Sequence, residues 1–383
     1  MGLLPGSPLT PRLVEGIVRL GASVPFAEAA AVLAHFTGVR VGAETVRRLT
    51  EAAGAAQVAA ETAAVVALER TLPAAPPGPV VQLLSVDGAM VPLRAGVWAE
   101  VKTLAVGEVV AEEGGPRTTA LSYFSRQTDA ATFGDLATAE THRRGTPTAG
   151  TVVAVSDGAA WCQGFIDLHR PDAVRILDLP HAIEHLGHVA QVVFGAGTAA
   201  GSAWLGIQAH ALRHGAEAAV LTTLADLAAT PDLDPLARVV VTGVGGYLTT
   251  RREQIRYDAF ATAGYPLGSG CVESANKVVV EARLKGAGMH WARPNVDPLL
   301  ALRCLLANRR WDAEWPALWR RLRATRRRPV PPAPPPRPAP ATTPRPRAAA
   351  ASLPAASRPK TIVNGRPTIA HPWKRGLALR AKP

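Results

Sequence analysis

The chain has 383 residues, 48% of them hydrophobic, enough for two domains and a large core. Its net charge of +12 is uneven: of 42 Lys and Arg, 16 lie from Arg320 onward with no Asp or Glu among them, so residues 1–319 carry 26 bases against 30 acids. A basic arm on a mildly acidic body points to a polyanionic partner, nucleic acid first, with a merely solubilising tail as the plainer reading.

Three cysteines, Cys162, Cys271 and Cys304, lie far apart with no CxxC pair. That excludes a zinc ribbon and a disulfide framework and fits a reducing compartment. No charged-then-apolar leader opens the chain, and no apolar run reaches ~18 residues, so it reads as cytoplasmic with no membrane span.

Residues 1–75 read as helical. "TPRLVEGIVRLGAS" has Thr10 as an N-cap, Pro11 in the first turn, and Leu13, Ile17 and Leu20 at helical spacing. "PFAEAAAVLAHFTG" ends at Gly38, and "GAETVRRLTEAAG" makes a third helix, with a longer one following to Leu72. The layout suits a helix-turn-helix with Arg47 and Arg48 facing DNA, or equally a plain three-helix bundle for dimerisation. "PAAPPGP" then reads as a linker.

From residue 76 the period changes. "VVQLLSVDG" and "GTVVAVSDGAAW" are apolar runs typical of strands buried on both faces, each ending in Asp-Gly. Between them, "WAEVKTLAVGEVVAEE" reads as one or two strands, "TTALSYFSR" as another, and residues 129–144 as a helix. "AVRILDLPHAIEHLGHVAQVVFG" is strand then helix, residues 181–262 are almost wholly helical, and 298–324 form one more helical stretch. The expected class is α/β with a mixed sheet. From residue 326 to 383 the Pro- and Arg-rich tail is expected to be disordered, with "NGRPTIAHPWKR" as a short docking motif.

Two acids, Asp87 and Asp157, close apolar strands, and a third, Glu273, opens a late helix after the turn "GSG". Each Asp-Gly alone reads first as a turn. Together the three form a carboxylate set of the kind that holds two hard divalent cations for in-line displacement at phosphorus. His181, His185 and His188 suggest zinc by spacing, but no further ligand completes a site, and a histidine-bearing helix face is the better reading.

The blocks "SVDGAMVPLR", "VVAVSDGAAW", "ILDLPHAIEHL" and "YPLGSGCVESANKVVVEARLKGAGMHWARP", with "LLALRCLLANRRWDAEW" beyond, carry a resemblance. They look like bacterial insertion-sequence DDE transposases, closest to the ISKra-type group within the set related to Mutator-like elements. The most specific block runs Gly-x-Gly-x-x-Glu, a basic pair, then Gly-Met-x-Trp. "HPWKR" resembles that group's C-terminus, and relatives often carry an N-terminal cysteine-bearing zinc module. This chain opens already inside the matching region, as a truncated copy or one with a misassigned start would.

The resemblance implies an RNase H-like catalytic domain over residues 76–325, interrupted by an all-helical insertion at 181–262. It puts Asp87 on the first strand, Asp157 after the fourth, and Glu273 on a helix behind the sheet. These three would be catalytic and would hold two Mg²⁺, with Mn²⁺ as a substitute. It further implies Asp178 orienting the His181 ring, with His181 placing a DNA phosphate; the alternative is a strand-end acid and a capping pair. Lys277, Arg283 and Lys285 would meet DNA phosphates, and Trp291 would stack on a base or lie in the core. Partners would be double-stranded DNA (terminal inverted repeats and target) and further copies of the chain, as a homodimer or larger, at the nucleoid. An inactive DNA-binding relic and another RNase H-fold nuclease are the alternatives.

Overall fold

The computed structural model describes residues 9–326 and a short strand pair, Ile362–Val363 with Arg366–Pro367. The rest of the expected tail, including HPWKR, lies outside the described residues. Thr10 accepts from the Leu13 amide and Pro11 fills the first turn, so α1 (Pro11–Ser23) begins where its capping pattern dictates. Helix α2 (Phe26–Thr37) stops at Gly38, which takes φ 70°. The two helices expected next are one, α3 (Ala43–Thr71), running unbroken through Gly54.

β1 (Val81–Pro92), β2 (Trp98–Glu112) and β3 (Gly115–Arg126) form an antiparallel meander. Helix α4 (Ala130–Arg143), capped by Asp129, leads to β4 (Thr151–Ser156), then α5 (Ala160–His169) and β5 (Val174–Leu177). The result is a five-stranded mixed sheet in the order β3-β2-β1-β4-β5, with β4 parallel to both β1 and β5. Side chains alternate across it. Leu83, Val153 and Val155 enter one core, while Leu84, Val86, Val152 and Ala154 meet Phe133, Phe165 and Ile166 in another.

One boundary differs from expectation. β1 does not end at its Asp-Gly. β4 pairs with β1 only as far as Ser85↔Val155, but β2 pairs with it up to Pro92↔Trp98. The antiparallel ladder therefore carries Asp87 beyond the end of the parallel pair, and Asp87 lies within a strand.

Five helices follow β5: α6 (Leu179–Phe194), α7 (Ala199–Arg213), α8 (Glu217–Ala229), α9 (Pro235–Thr250) and α10 (Tyr257–Thr262). Leu186, Leu212, Leu224, Val241 and Leu248 carry the sheet core out into this helical block. The stretch after "GSG" is not a single regular helix. α11 (Gly270–Ala275) widens into a π-helical segment, Asn276–Glu281, and closes as α12 (Ala282–Leu284). The wider turn changes side-chain phase. Asn276 faces Asp87, while Val279, Val280 and Leu284 stay in a core with Val91, Ala99 and Val101.

Helices α13 (Val296–Ala307) and α14 (Trp311–Arg326) end the described body. Their Leu302, Leu305, Trp311, Trp315 and Trp319 share one core with Val14, Ile17 and Val18 of α1, Leu33 of α2, and Val46 and Leu49 of α3. Across the boundary expected near residue 75, α1–α3 bury their apolar faces against the last two helices, and the described residues 9–326 belong to one compact unit. Gly54 shows how closely: a Cβ there would lie 2.1 Å from the Pro298 carbonyl oxygen. It is a contact glycine, not a helix stop. Among the described residues no helix is long and apolar enough to cross a membrane.

Candidate functional site

Asp87, Asp157 and Glu273 line one open cleft of about 310 Å³, with Asp178, His181 and Ser269. Each acid comes from a different element: mid-β1, the loop after β4, and the first turn of α11. Asp87 Oδ1 accepts from the Gly88 amide (2.7 Å) and Oδ2 from Asn276 Nδ2 (2.8 Å). Asp157 Oδ1 accepts from the Ala159 amide (2.9 Å) and the Cys162 thiol (3.4 Å). Glu273 Oε1 accepts from Ser269 Oγ (3.0 Å). Burial pushes the Asp87 carboxyl above its usual range, and the charges on Asp157 and Glu273 push the same way, against the Gly88 and Asn276 hydrogen bonds.

The loop carrying Asp157 is held from the helical block. Tyr247 Oη, on α9, donates to the Asp157 carbonyl (2.5 Å), and Arg251 Nη2, one turn on, donates to the Gly158 carbonyl (2.7 Å). The Arg251 guanidinium stacks 3.9 Å from the Tyr247 ring centre. Gly158 takes φ +76°, and a Cβ there would come within 2.5 Å of Arg251 Nε. The His185 ring also lies against Tyr247, 4.4 Å between centres, and its Nε2 is 3.2 Å from that of His181.

Of the two readings of Asp178, the geometry shows the strand-end, capping one. It is buried, and its oxygens accept from the Ser269 amide (2.7 Å) and the His181 amide (3.0 Å). It caps α6 and ties that cap to the turn before Glu273, and its bonds here go to backbone amides rather than to the His181 ring. His181 itself stands on the cleft wall, with Nδ1 3.6 Å from Glu184.

Lys277 is exposed and lines an adjoining space of about 300 Å³ with Asp87, Glu273, Glu281 and Lys285. The (i, i+4) pair observed on this segment is Lys285–Glu281 at 2.7 Å. Arg283 and Trp291 are not surface contacts. Arg283 is 1% exposed and donates from Nε to the Gly21 carbonyl, and Trp291 is buried with Nε1 bonded to the Leu284 carbonyl. Both are packed beneath α1 and α2 rather than on the outer surface. Arg47 is held by Glu44 and Glu51, both at 2.5 Å, which leaves Arg48 as the exposed base on that helix face.

Sequence reading did not single out Asn276, Tyr247 or Arg251. Their partners lie 189, 90 and 93 residues away, so no local spacing marks them.

Among the described residues no group of three or more His, Cys, Asp or Glu forms a closed metal site. The cleft's donor set nonetheless suits a hard divalent cation. Its three acids offer carboxylate oxygen, Asp157 Oδ2 and Glu273 Oε2 carry no hydrogen bond among the described residues, and mutual repulsion at Asp87 is what a cation would relieve. No protein-family model and no curated protein matches this chain.

Proposed function

We propose that this chain is an insertion-sequence DDE transposase, with an RNase H-like catalytic domain that cleaves and joins DNA strands. The observation that carries the reading is the convergence of Asp87, Asp157 and Glu273 on one cleft from three separate elements. Supporting it, the first acid lies on the first strand of a mixed sheet, the second follows the fourth, and an all-helical block, α6–α10, separates the second from the third. This is the placement the resemblance implies.

Two Mg²⁺ ions, or Mn²⁺, held by these three carboxylates would supply activation of a water or 3′-hydroxyl nucleophile and stabilisation of the leaving oxyanion. The chain's own part is to hold the carboxylates still. Asn276 fixes Asp87, Ser269 fixes Glu273, and Tyr247 with Arg251 fixes the Asp157 loop. Lys277 presents positive charge beside Asp87 and Glu273, where the phosphate backbone of a bound strand would pass. The substrates are double-stranded DNA carrying the element's terminal repeats and a target duplex, worked on by two or more copies of the chain at the nucleoid.

The test is strand cleavage by the full chain, with Mg²⁺, on a duplex carrying the genomic DNA that flanks the gene. Asp87→Asn, Asp157→Asn and Glu273→Gln should each bring cleavage to background while leaving duplex affinity unchanged. Full activity in any one of them overturns the assignment, and DNA binding without cleavage by the unaltered chain identifies a DNA-binding relic.

A further inference from the structure

Away from the acid cleft, a cavity of about 310 Å³ opens between α1–α3 and the segment after α12, lined among others by Phe26, Arg47, Arg94, Arg283, His290 and Trp291. Three guanidiniums face it. Glu51 is its one lining carboxylate, and that group is already held by Arg47 (2.5 Å) and by Asn295 Nδ2 (2.7 Å). Arg94 is exposed at the rim. Arg283 lies at the base, its guanidinium carbon 4.6 Å from the Phe26 ring centre and 5.1 Å from that of Trp291.

The charge balance at the base is unusual. Arg283 Nη2 is buried without a hydrogen-bond partner, and Nη1 has only the Met289 sulfur at 3.9 Å. The charge of Arg303, partly buried and donating from Nη2 to the Val278 carbonyl, is felt at Arg283. Among the described residues no carboxylate pairs with Arg283, Arg303 or Arg94. Burial, and then the Arg303 charge, push Arg283 down to about 10. Buried cations are ordinarily paired, because an uncompensated one is costly. A buried guanidinium with an unpartnered Nη2 and no acid beside it, at the wall of a cavity, is a group that an anion would satisfy.

We propose that this cavity binds a phosphate group. Free N–H groups of Arg283 match phosphate oxygens in a fork, and Arg94 adds charge at the rim. The flexible Met289 side chain is the group that a phosphate displaces to reach Nη1 and Nη2. The volume exceeds that of a phosphate alone and leaves room for a nucleoside, so the phosphate is either free in solution or carried by a nucleotide or strand. The site does not depend on the function proposed for the acid cleft, and it is read out without divalent cation or cleavage.

The experiment is titration of the full chain with inorganic phosphate, against chloride at matched ionic strength, followed by calorimetry and thermal unfolding. The wild-type chain should bind phosphate and unfold at higher temperature in its presence. Arg283→Met, which keeps length and removes charge, should weaken phosphate binding by on the order of tenfold to a hundredfold, the usual range for a lost charge-assisted pair. Arg94→Ser, an exposed change, should weaken it severalfold. Repeating the titration with a deoxynucleoside 5′-monophosphate distinguishes the sources: tighter binding than inorganic phosphate assigns a nucleic-acid ligand, and equal binding assigns free phosphate. No phosphate response in the wild type, or an equal response in Arg283→Met, overturns the site. Should Arg283→Met fail to fold, unchanged affinity in Arg94→Ser overturns it instead.

Discussion

Asn276 gives one hydrogen bond to Asp87 and leaves its own Oδ1 buried without a partner. An unsatisfied buried acceptor costs about 1–3 kcal/mol, and a position that tolerates it is being used to aim a carboxylate. His169 shows the opposite case, a partly buried polar group that is fully engaged. Its ring nitrogens meet Thr141 Oγ1 (3.2 Å) and the Gly134 carbonyl (3.1 Å). Burial pushes its pKa down from 6.5 to about 4. The unfolded chain takes up this proton near 6.5, and the folded chain only near 4. Stability from this group is therefore whole above the higher value and is lost as pH falls through the window, by up to about 3 kcal/mol. Denaturant titrations of the wild type and His169→Asn at the two ends of the window should show that loss in the wild type only. At this scale the three acids were legible, because each sits at a visible change of pattern. Asn276, Tyr247 and Arg251 were not, because their meaning comes from partners across the fold.

The element that most exceeds its sequence reading is α9. Its apolar positions place it in the helical block, and that much follows from spacing alone. Its Tyr247 and its C-cap residue Arg251 grip the two residues that carry the second acid, so the block between β5 and α11 braces the cleft as well as filling space. Tyr247→Phe should cost about 1 kcal/mol, the usual net worth of one hydrogen bond, with faster amide exchange at residues 157–159. Gly158→Ala should cost about 1–3 kcal/mol, since its Cβ must displace Arg251. Thermal unfolding and hydrogen exchange measure both, and a Gly158→Ala chain as stable as wild type would show that the brace is slack. The π-helical segment was equally invisible in sequence. "ANKVVVEARL" has ordinary helical spacing, and only the simultaneous demands of Asp87 on Asn276 and of the core on Val279, Val280 and Leu284 reveal the extra residue per turn.

At the scale of the whole molecule, the mixed sheet and the helical block were readable from runs and periods, but the packing of the first helices against the last was not. A Pro-rich stretch near residue 75 looks like a boundary because linkers have that composition. Composition does not show which apolar face meets which, and here the first three helices meet the last two. A fragment of residues 9–75 should therefore lack a cooperative unfolding transition by circular dichroism, whereas an autonomous DNA-binding domain would show one. With Val14, Ile17, Val18 and Leu33 uncovered, such a fragment exposes the kind of patch that aggregates.

The shared core also sets a schedule for synthesis. Helices α1–α3 leave the ribosome first, and their covering tryptophans, Trp311, Trp315 and Trp319, are among the last described residues to follow. At the usual ~5–20 residues per second, the apolar face of the first helices waits on the order of tens of seconds for its cover. A nascent chain in that interval is a client for chaperones, and one that stops short of α13 is a substrate for proteases. Incomplete translation products would thus be cleared before they accumulate, which makes the closing helices a check on completeness.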